Sequence, residues 1–344
     1  MCIRFSFIVL TAMLPIVTTA QPSFLTDGRF QWRCGPPVQS SVVRSNDSCF
    51  SVKDPTIVRY HDRWHLFTTI RSEKRTHQIE YSSFADWQDA ATAERHILSF
   101  NPGYFCAPQV FYFTPHRKWY LLHQASDGSR PVALQPAFST SERIDDPTAW
   151  SMPQLLYDEH PANVKGWIDF WIICDADKAH LFFTSNNGLM WRAETSLARF
   201  PKAWTAPQVV LRGDIFEASH TYRLCGSDRY LTVIEAQAGS RRYYKAYLAD
   251  RLDGPWTPVA DTAERPFAGW KNIRPAPGVT PWTDNISHGE LLREGFDETL
   301  TVDPGHLRFL FQGMWDKDKA GTGYGQFQWR LGLLTPVAAA GLSD

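Results

Sequence analysis

A strand, a turn and a second strand, with a carboxylate at the head of the first strand, recur along this chain and limit what it can fold into. The pattern is clearest in Ser51-Val52-Lys53-Asp54-Pro55-Thr56-Ile57-Val58-Arg59-Tyr60, which passes through His61-Asp62-Arg63 into Trp64-His65-Leu66-Phe67-Thr68-Thr69. Equivalent heads stand at Ala107, Asp169, Glu217 and Glu298, each leading into a similar pair of apolar strands. They recur roughly every fifty residues or more, with several strands in each period, which is the signature of propeller blades. A blade is apolar on both faces and cannot bury them alone, so the blades must stack face to face around an axis. Five repeats therefore predict an all-β, five-bladed β-propeller. Residues at the same end of equivalent inner strands then converge on the channel, which would gather Asp54, Asp169 and Glu217.

The rest of the chain suits one such domain. Hydrophobic residues make up 43% and charged residues 21%, enough for a packed core and against disorder. A formal net charge of −1 gives no reason to expect nucleic acid or an anionic membrane as partner. The chain carries 14 Trp, a load that suits either an aromatic core or flat faces for sugar rings. Residues 1–20 read as a secretory signal: Arg4, an apolar run from Phe5 to Val17, then Thr18-Thr19-Ala20 before a cut. The run is short for a membrane span. The mature domain is then 21–344, secreted and extracellular.

Removing the signal leaves Cys34, Cys49, Cys106, Cys174 and Cys225. Export favours disulfides, and Cys34 with Cys49 is the best local pair. Cys106 and Cys174 lie in apolar strands and read as buried small hydrophobes. Without a C-x-x-C pair, neither zinc nor redox chemistry is supported. Asn46-Asp47-Ser48 is a glycan acceptor candidate, whereas Asn285-Ile286-Ser287 falls inside the fold.

In chain order, residues 21–50 read as irregular, 51–85 as the first repeat, 105–160 as the second, 167–213 as the third and 215–260 as the fourth. Asp86-Trp87 opens a short helix through Ala93. Pro131–Gln135 and Ala137–Ser141 read as the outer strands of the second repeat. Residues 261–285 form a Pro-rich connection and 286–336 the last blade, with Glu298–Val302 as its first strand.

Three acids on separate blades have a chemistry of their own. Inverting hydrolysis of a glycosidic bond needs one carboxylate to activate water and one carboxylic acid to protonate the leaving oxygen. A third carboxylate nearby keeps the acid protonated, because like charges raise each other's pKa. The competing reading is that such carboxylates merely cap backbone donors at strand starts.

Val52-Lys53-Asp54-Pro55-Thr56-Ile57-Val58, Gly166-Trp167-Ile168-Asp169-Phe170-Trp171, Phe216-Glu217-Ala218, Trp282-Thr283-Asp284-Asn285-Ile286-Ser287-His288-Gly289-Glu290-Leu291 and Arg330-Leu331-Gly332-Leu333-Leu334-Thr335 together resemble glycoside hydrolase family 62. The resemblance runs in order through nearly all of the mature chain. It implies a secreted α-L-arabinofuranosidase with a five-bladed propeller, related to family 43, that removes single arabinofuranose branches from arabinoxylan or arabinan with inversion. By that resemblance Asp54 is the general base, Glu217 the general acid and Asp169 the residue that tunes and orients the acid. Lys53, Ile168, Trp282 and Tyr324 would line the sugar site. Each also has a plainer reading: a solvated lysine, an apolar wall, a core or loop aromatic. His288 matches a histidine associated with an axial calcium ion of structural role, although calcium prefers oxygen ligands. No organic cofactor is implied, and a monomer is expected. The alternatives are another propeller glycosidase, such as a xylosidase or endo-arabinanase, or a sugar-binding propeller without catalysis. Two stretches depart from the family pattern. Phe327-Gln328-Trp329 stands where Leu-Pro-Tyr is usual, and Trp270-Lys271-Asn272-Ile273 through Pro281 is atypical.

Overall fold

The structure is a computed structural model that describes residues 24–101 and 103–337. The proposed signal at 1–20 lies outside the described residues. Five twisted antiparallel-rich sheets surround one axis, a five-bladed β-propeller in a single domain. The first blade pairs Val43–Arg44, Asp47–Tyr60, Arg63–Ser72, Gln78–Phe84 and Arg95–Ile97. The second holds Phe105–Phe113, Lys118–Ser126, Leu134–Ser141 and Gln154–Leu155. The third holds Ile168–Cys174, Lys178–Thr184, Leu189–Ser196 and Gln208–Arg212. The fourth holds Ser219–Leu224, Tyr230–Ala238, Arg241–Ala249 and Thr257–Ala260. Helix is confined to Phe24–Asp27 and four 3₁₀ turns among the described residues, and none is long and apolar enough to cross a membrane. The helix expected from Asp86 to Ala93 is a single 3₁₀ turn, Trp87–Asp89.

The inner strands share a device. At the mouth end each carries, or directly follows, a non-glycine residue in the left-handed region: Asp54 (φ 48°), Ala107 (49°), Asp169 (56°), Ala218 (47°) and His288 (21°). At four of these points the ladder slips by a bulge, between Lys53 and Thr56, Cys106 and Gln109, Ile168 and Trp171, and Ser287 and Gly289. Bulges re-aim side chains at barrel rims and active sites. Left-handed non-glycine backbone costs on the order of 1–3 kcal/mol and persists only when its surroundings hold it.

They do hold it, in the same way five times. The backbone N–H of each left-handed residue donates to a side chain from the preceding blade. Asp54 donates to Gln312 Oε1 (2.8 Å), Ala107 to Thr69 Oγ1 (2.8 Å) and Asp169 to Gln124 Oε1 (2.7 Å). Ala218 donates to Asp169 Oδ2 (3.1 Å) and His288 to Glu235 Oε2 (2.7 Å). Gln312, Thr69, Gln124 and Glu235 sit at matching points of their second strands, each opposite the residue just before its own blade's left-handed one. In the third blade that point is Thr184, opposite Ile168; its hydroxyl is buried without a partner. Asp169, from the inner strand, supplies the missing acceptor.

The fifth blade differs from the expected one. Its inner strand is Ser287–Leu291, followed outward by Phe309–Gly313, Arg330–Pro336, Trp32–Cys34 and Ile273–Pro275. Glu298 is not its head. Thr301–Val302 lies parallel to Arg223 and Leu224 on the inner edge of the fourth blade, and the Glu298 carboxylate caps Thr114 of the second. The head position went to His288. Residues 21–50 are likewise less irregular than expected. Trp32–Cys34 closes the ring by pairing antiparallel with Leu334–Pro336. Leu134–Ser141 is one strand where two were expected, with Gln154–Leu155 at the edge.

The Cys34–Cys49 disulfide does not form; both thiols are free and buried. Cys34 belongs to the closing strand of the fifth blade and Cys49 to the inner strand of the first, in separate apolar clusters. Cys106 and Cys174 are buried, as expected, and Cys225 is exposed. Asn46 is exposed in a turn, whereas Asn285 is fully buried and its side chain is bonded to Arg242 N and Lys319.

Trp32 anchors the closure. It is 1% exposed, donates its indole N–H to the Phe267 carbonyl and packs edge-on against that ring. Trp32→Ala should cost about 3–5 kcal/mol, the usual range for a buried Trp. Chemical unfolding of the variant beside the parent measures this; a loss under about 1 kcal/mol would mean that the ring closes without the strand.

Candidate active site

The bulges set two rings of side chains at the mouth. The left-handed positions present Asp54, Asp169 and His288; the positions just before them present Lys53, Cys106, Ile168, Glu217 and Ser287. Glu217 is therefore one residue out of register with the other two acids. It is also the more open: its side chain is 12% exposed, against 6% for Asp54 and 4% for Asp169.

The three acids are brought together as expected. The His288 imidazole lies between two of them, with Nδ1 3.5 Å from Asp54 Oδ1 and 3.6 Å from Asp169 Oδ2. Asp169 reaches the third through the backbone, since the peptide N–H it accepts belongs to Ala218, next to Glu217. The capping role considered for such carboxylates is thus real for Asp169 and coexists with its place at the site. Lys53 Nζ stands 3.5 Å from Asp54 Oδ2 and 5.6 Å from the Tyr324 ring centre. Tyr324 is half-exposed at the rim. Ile168 is partly buried beside Asp169. Trp282 lies outside this set of contacts: it donates to the Gly35 carbonyl and stacks on Phe311 within the fifth blade.

Other site residues were not singled out from the sequence. Arg242 Nη1 bonds Glu217 Oε2 (3.1 Å) and Glu235 Oε1 (2.9 Å), and its guanidinium lies 5.5 Å from the Tyr324 ring. Asn186 donates to Glu217 Oε1 (3.1 Å). Glu235 is fully buried and also accepts from Ser287 Oγ (3.0 Å) and the His288 N–H (2.7 Å). The signal for Glu235 was available: it is the single charge in the apolar run Leu231-Thr232-Val233-Ile234-Glu235-Ala236. Buried charges of this kind need partners.

The electrostatics separate the acids. Burial alone would push the Asp54 carboxyl up, but the Lys53 ammonium, then His288 and the Thr69 hydroxyl, hold it below the usual carboxylate range. Burial drives Glu217 upward to about 7; Arg242 opposes and Glu235 reinforces the rise. One guanidinium faces two carboxylates, so Glu217 does not have Arg242 to itself. Asp169 is raised well above the ordinary range by burial and by Glu217, Asp54 and Glu235. Burial lowers His288 below the usual imidazole range.

The donors do not fit a protein-built calcium cage. His288 offers a nitrogen, and the two carboxyl groups nearest it, Asp54 and Asp169, are already engaged with Lys53 and the Ala218 N–H. Calcium asks for six to eight oxygens, and no group of three metal-ligating side chains occurs among the described residues.

A family model described as glycosyl hydrolase family 62 matches residues 39–335. The chain is 39% identical over 303 residues to alpha-L-arabinofuranosidase C of Cellvibrio japonicus, covering 85% of this chain and 45% of that protein. It therefore spans about half the length of that relative. Among solved structures it is similar to the catalytic domain of the Coprinopsis cinerea GH62 alpha-L-arabinofuranosidase (TM-score 0.84, 34% identity, 90% of this chain and 98% of that one). It is also similar to the Podospora anserina alpha-L-arabinofuranosidase PaAbf62A in complex with cellotriose (TM-score 0.82, 34% identity, 90% and 98%). With the family model matched over most of its length, this chain belongs to glycosyl hydrolase family 62.

Proposed function

We propose that this chain is a secreted, inverting α-L-arabinofuranosidase that removes single arabinofuranose branches from arabinoxylan, with arabinan as a second polymer. The observation that carries the reading is the split ionisation at the mouth: Asp54 is held as a carboxylate while Glu217 is pushed up to about 7. Those are the two states that inversion requires of its base and acid. The names of the similar proteins support the sugar, and the cellotriose complex of one of them supports a β-linked main chain as ligand.

In this mechanism a terminal arabinofuranose enters between Lys53, Ile168 and Tyr324. Asp54 takes a proton from water, which attacks the anomeric carbon from the face opposite the leaving oxygen. Glu217 gives its proton to that oxygen. Asp169 fixes the peptide that carries Glu217 by accepting the Ala218 N–H. Glu235 holds Arg242 and keeps Glu217 protonated. No step runs through a metal.

Asp54→Asn and Glu217→Gln should each lower arabinose release from wheat arabinoxylan by about 10²–10⁴-fold at an unchanged melting temperature. Proton NMR of the first product should show the inverted anomer. Retained activity in either variant removes that residue from its role, and a retained anomer removes the mechanism.

The rate against pH should be bell-shaped. Its acid limb reflects protonation of Asp54, below the usual carboxylate range; its alkaline limb reflects loss of the Glu217 proton near 7. Glu235→Gln removes the neighbouring negative charge and leaves Arg242 to Glu217 alone. Both changes lower the Glu217 pKa, so the alkaline limb should move to lower pH. A limb that stays in place would make Glu235 merely structural.

A further inference from the structure

At the edge of the fifth blade is a depression of about 200 Å³ that the mechanism does not use. Trp270, Trp282 and Trp315 line it, with Asp284 and Arg274 on its walls. Trp270 and Trp315 are only half-buried, an unusual exposure for two large rings so close together. Trp270 belongs to the stretch of 270–281 that departs from the family pattern.

The polar wall is built in advance. Asp284 Oδ1 accepts from the Asp316 N–H (2.6 Å) and Oδ2 pairs with Arg241 Nε (3.3 Å). Arg241 in turn lies 5.6 Å from the Trp270 ring centre. A chain of contacts leads from the depression to the proposed active site. Arg241 directly precedes Arg242, the partner of Glu217. Lys319, which is bonded to Asn285 beside Asp284, lies over the same Trp329 ring as Arg242.

Indole faces beside a fixed carboxylate and a guanidinium match a pyranose ring, whose C–H faces are apolar and whose rim is hydroxyls. We propose that this depression is an accessory binding site for an unbranched stretch of the β-linked xylan main chain, away from the branch being cut. The proposal rests on the polysaccharide-acting reading above. A main chain engaged at two points raises the local concentration of the next branch at the catalytic mouth without touching the chemistry. Short substrates cannot span both points and gain nothing.

Trp270→Ala and Trp315→Ala, on separate segments, test this. Each should keep the parent melting temperature and the parent kcat and KM on a short, singly arabinosylated xylo-oligosaccharide. On long arabinoxylan each should raise KM by about three- to tenfold, the size of one lost ring contact. Retardation in native gels cast with unbranched xylan should fall in parallel. In the parent protein, free arabinose, which fills the catalytic pocket, should leave that retardation in place. Parent-like polymer KM and retardation in folded variants, or retardation abolished by arabinose, would overturn the proposal. If the parent releases arabinose from neither substrate, the activity reading fails, while the gels still decide the accessory site.

Discussion

Five hydrogen bonds from strained backbone to neighbouring side chains hold this mouth in shape. Each joins one blade to the next, so the ring of blades and the geometry of the site are set by the same contacts. Strain of this kind persists only where its surroundings over-determine it. Here a buried N–H with a good acceptor does so, because leaving it unpaired would add the cost of an unsatisfied buried donor. Ala107 and Ala218 adopt the conformation where no functional side chain is needed, and Asp54, Asp169 and His288 where one is.

The third blade is the exception that matters chemically. Its second strand offers Thr184, which makes no such bond, and Asp169 takes over the acceptor role. A carboxylate at the centre of the site is thereby tied to the peptide that carries Glu217. Glu235 performs the corresponding duty one blade on, and reaches Glu217 through a shared arginine. The different ionisation of Asp54 and Glu217 follows from this unequal supply of partners: a lysine of its own for one, half a guanidinium for the other.

Much of this was legible in the residues. Repeated strand pairs predicted the five blades, and equivalent positions predicted that Asp54, Asp169 and Glu217 would meet. What escaped has physical causes. The fifth head is His288, whereas the strand pair from Glu298 onward reads as a blade start, and its first strand joins the fourth blade instead. Trp32–Cys34 is three residues long and has no local partner; its strand exists because Leu334–Pro336 and Ile273–Pro275 lie on either side of it. The disulfide was inferred from closeness in sequence, but Cys34 and Cys49 lie in different blades. Arg242 lies at the start of an alternating strand and Glu235 inside an apolar one, and neither pattern shows by itself that the two charges meet across the sheet. Trp282 was expected at the sugar site, and its contacts are with the fifth blade.

The pairing of Trp32–Cys34 with Leu334–Pro336 has a consequence for the chain as it is made. Some three hundred residues between the two strands must leave the ribosome before that seam can shut. Until then the last sheet lacks an inner neighbour for its second-from-outermost strand, and a bare edge of this kind invites pairing with other chains. Contacts so distant in sequence also form slowly. The entropy of joining the two ends grows only with the logarithm of the separation, so the finished ring bears the long span at little thermodynamic cost. The exposure falls on the nascent protein, where a chaperone has the most time to act.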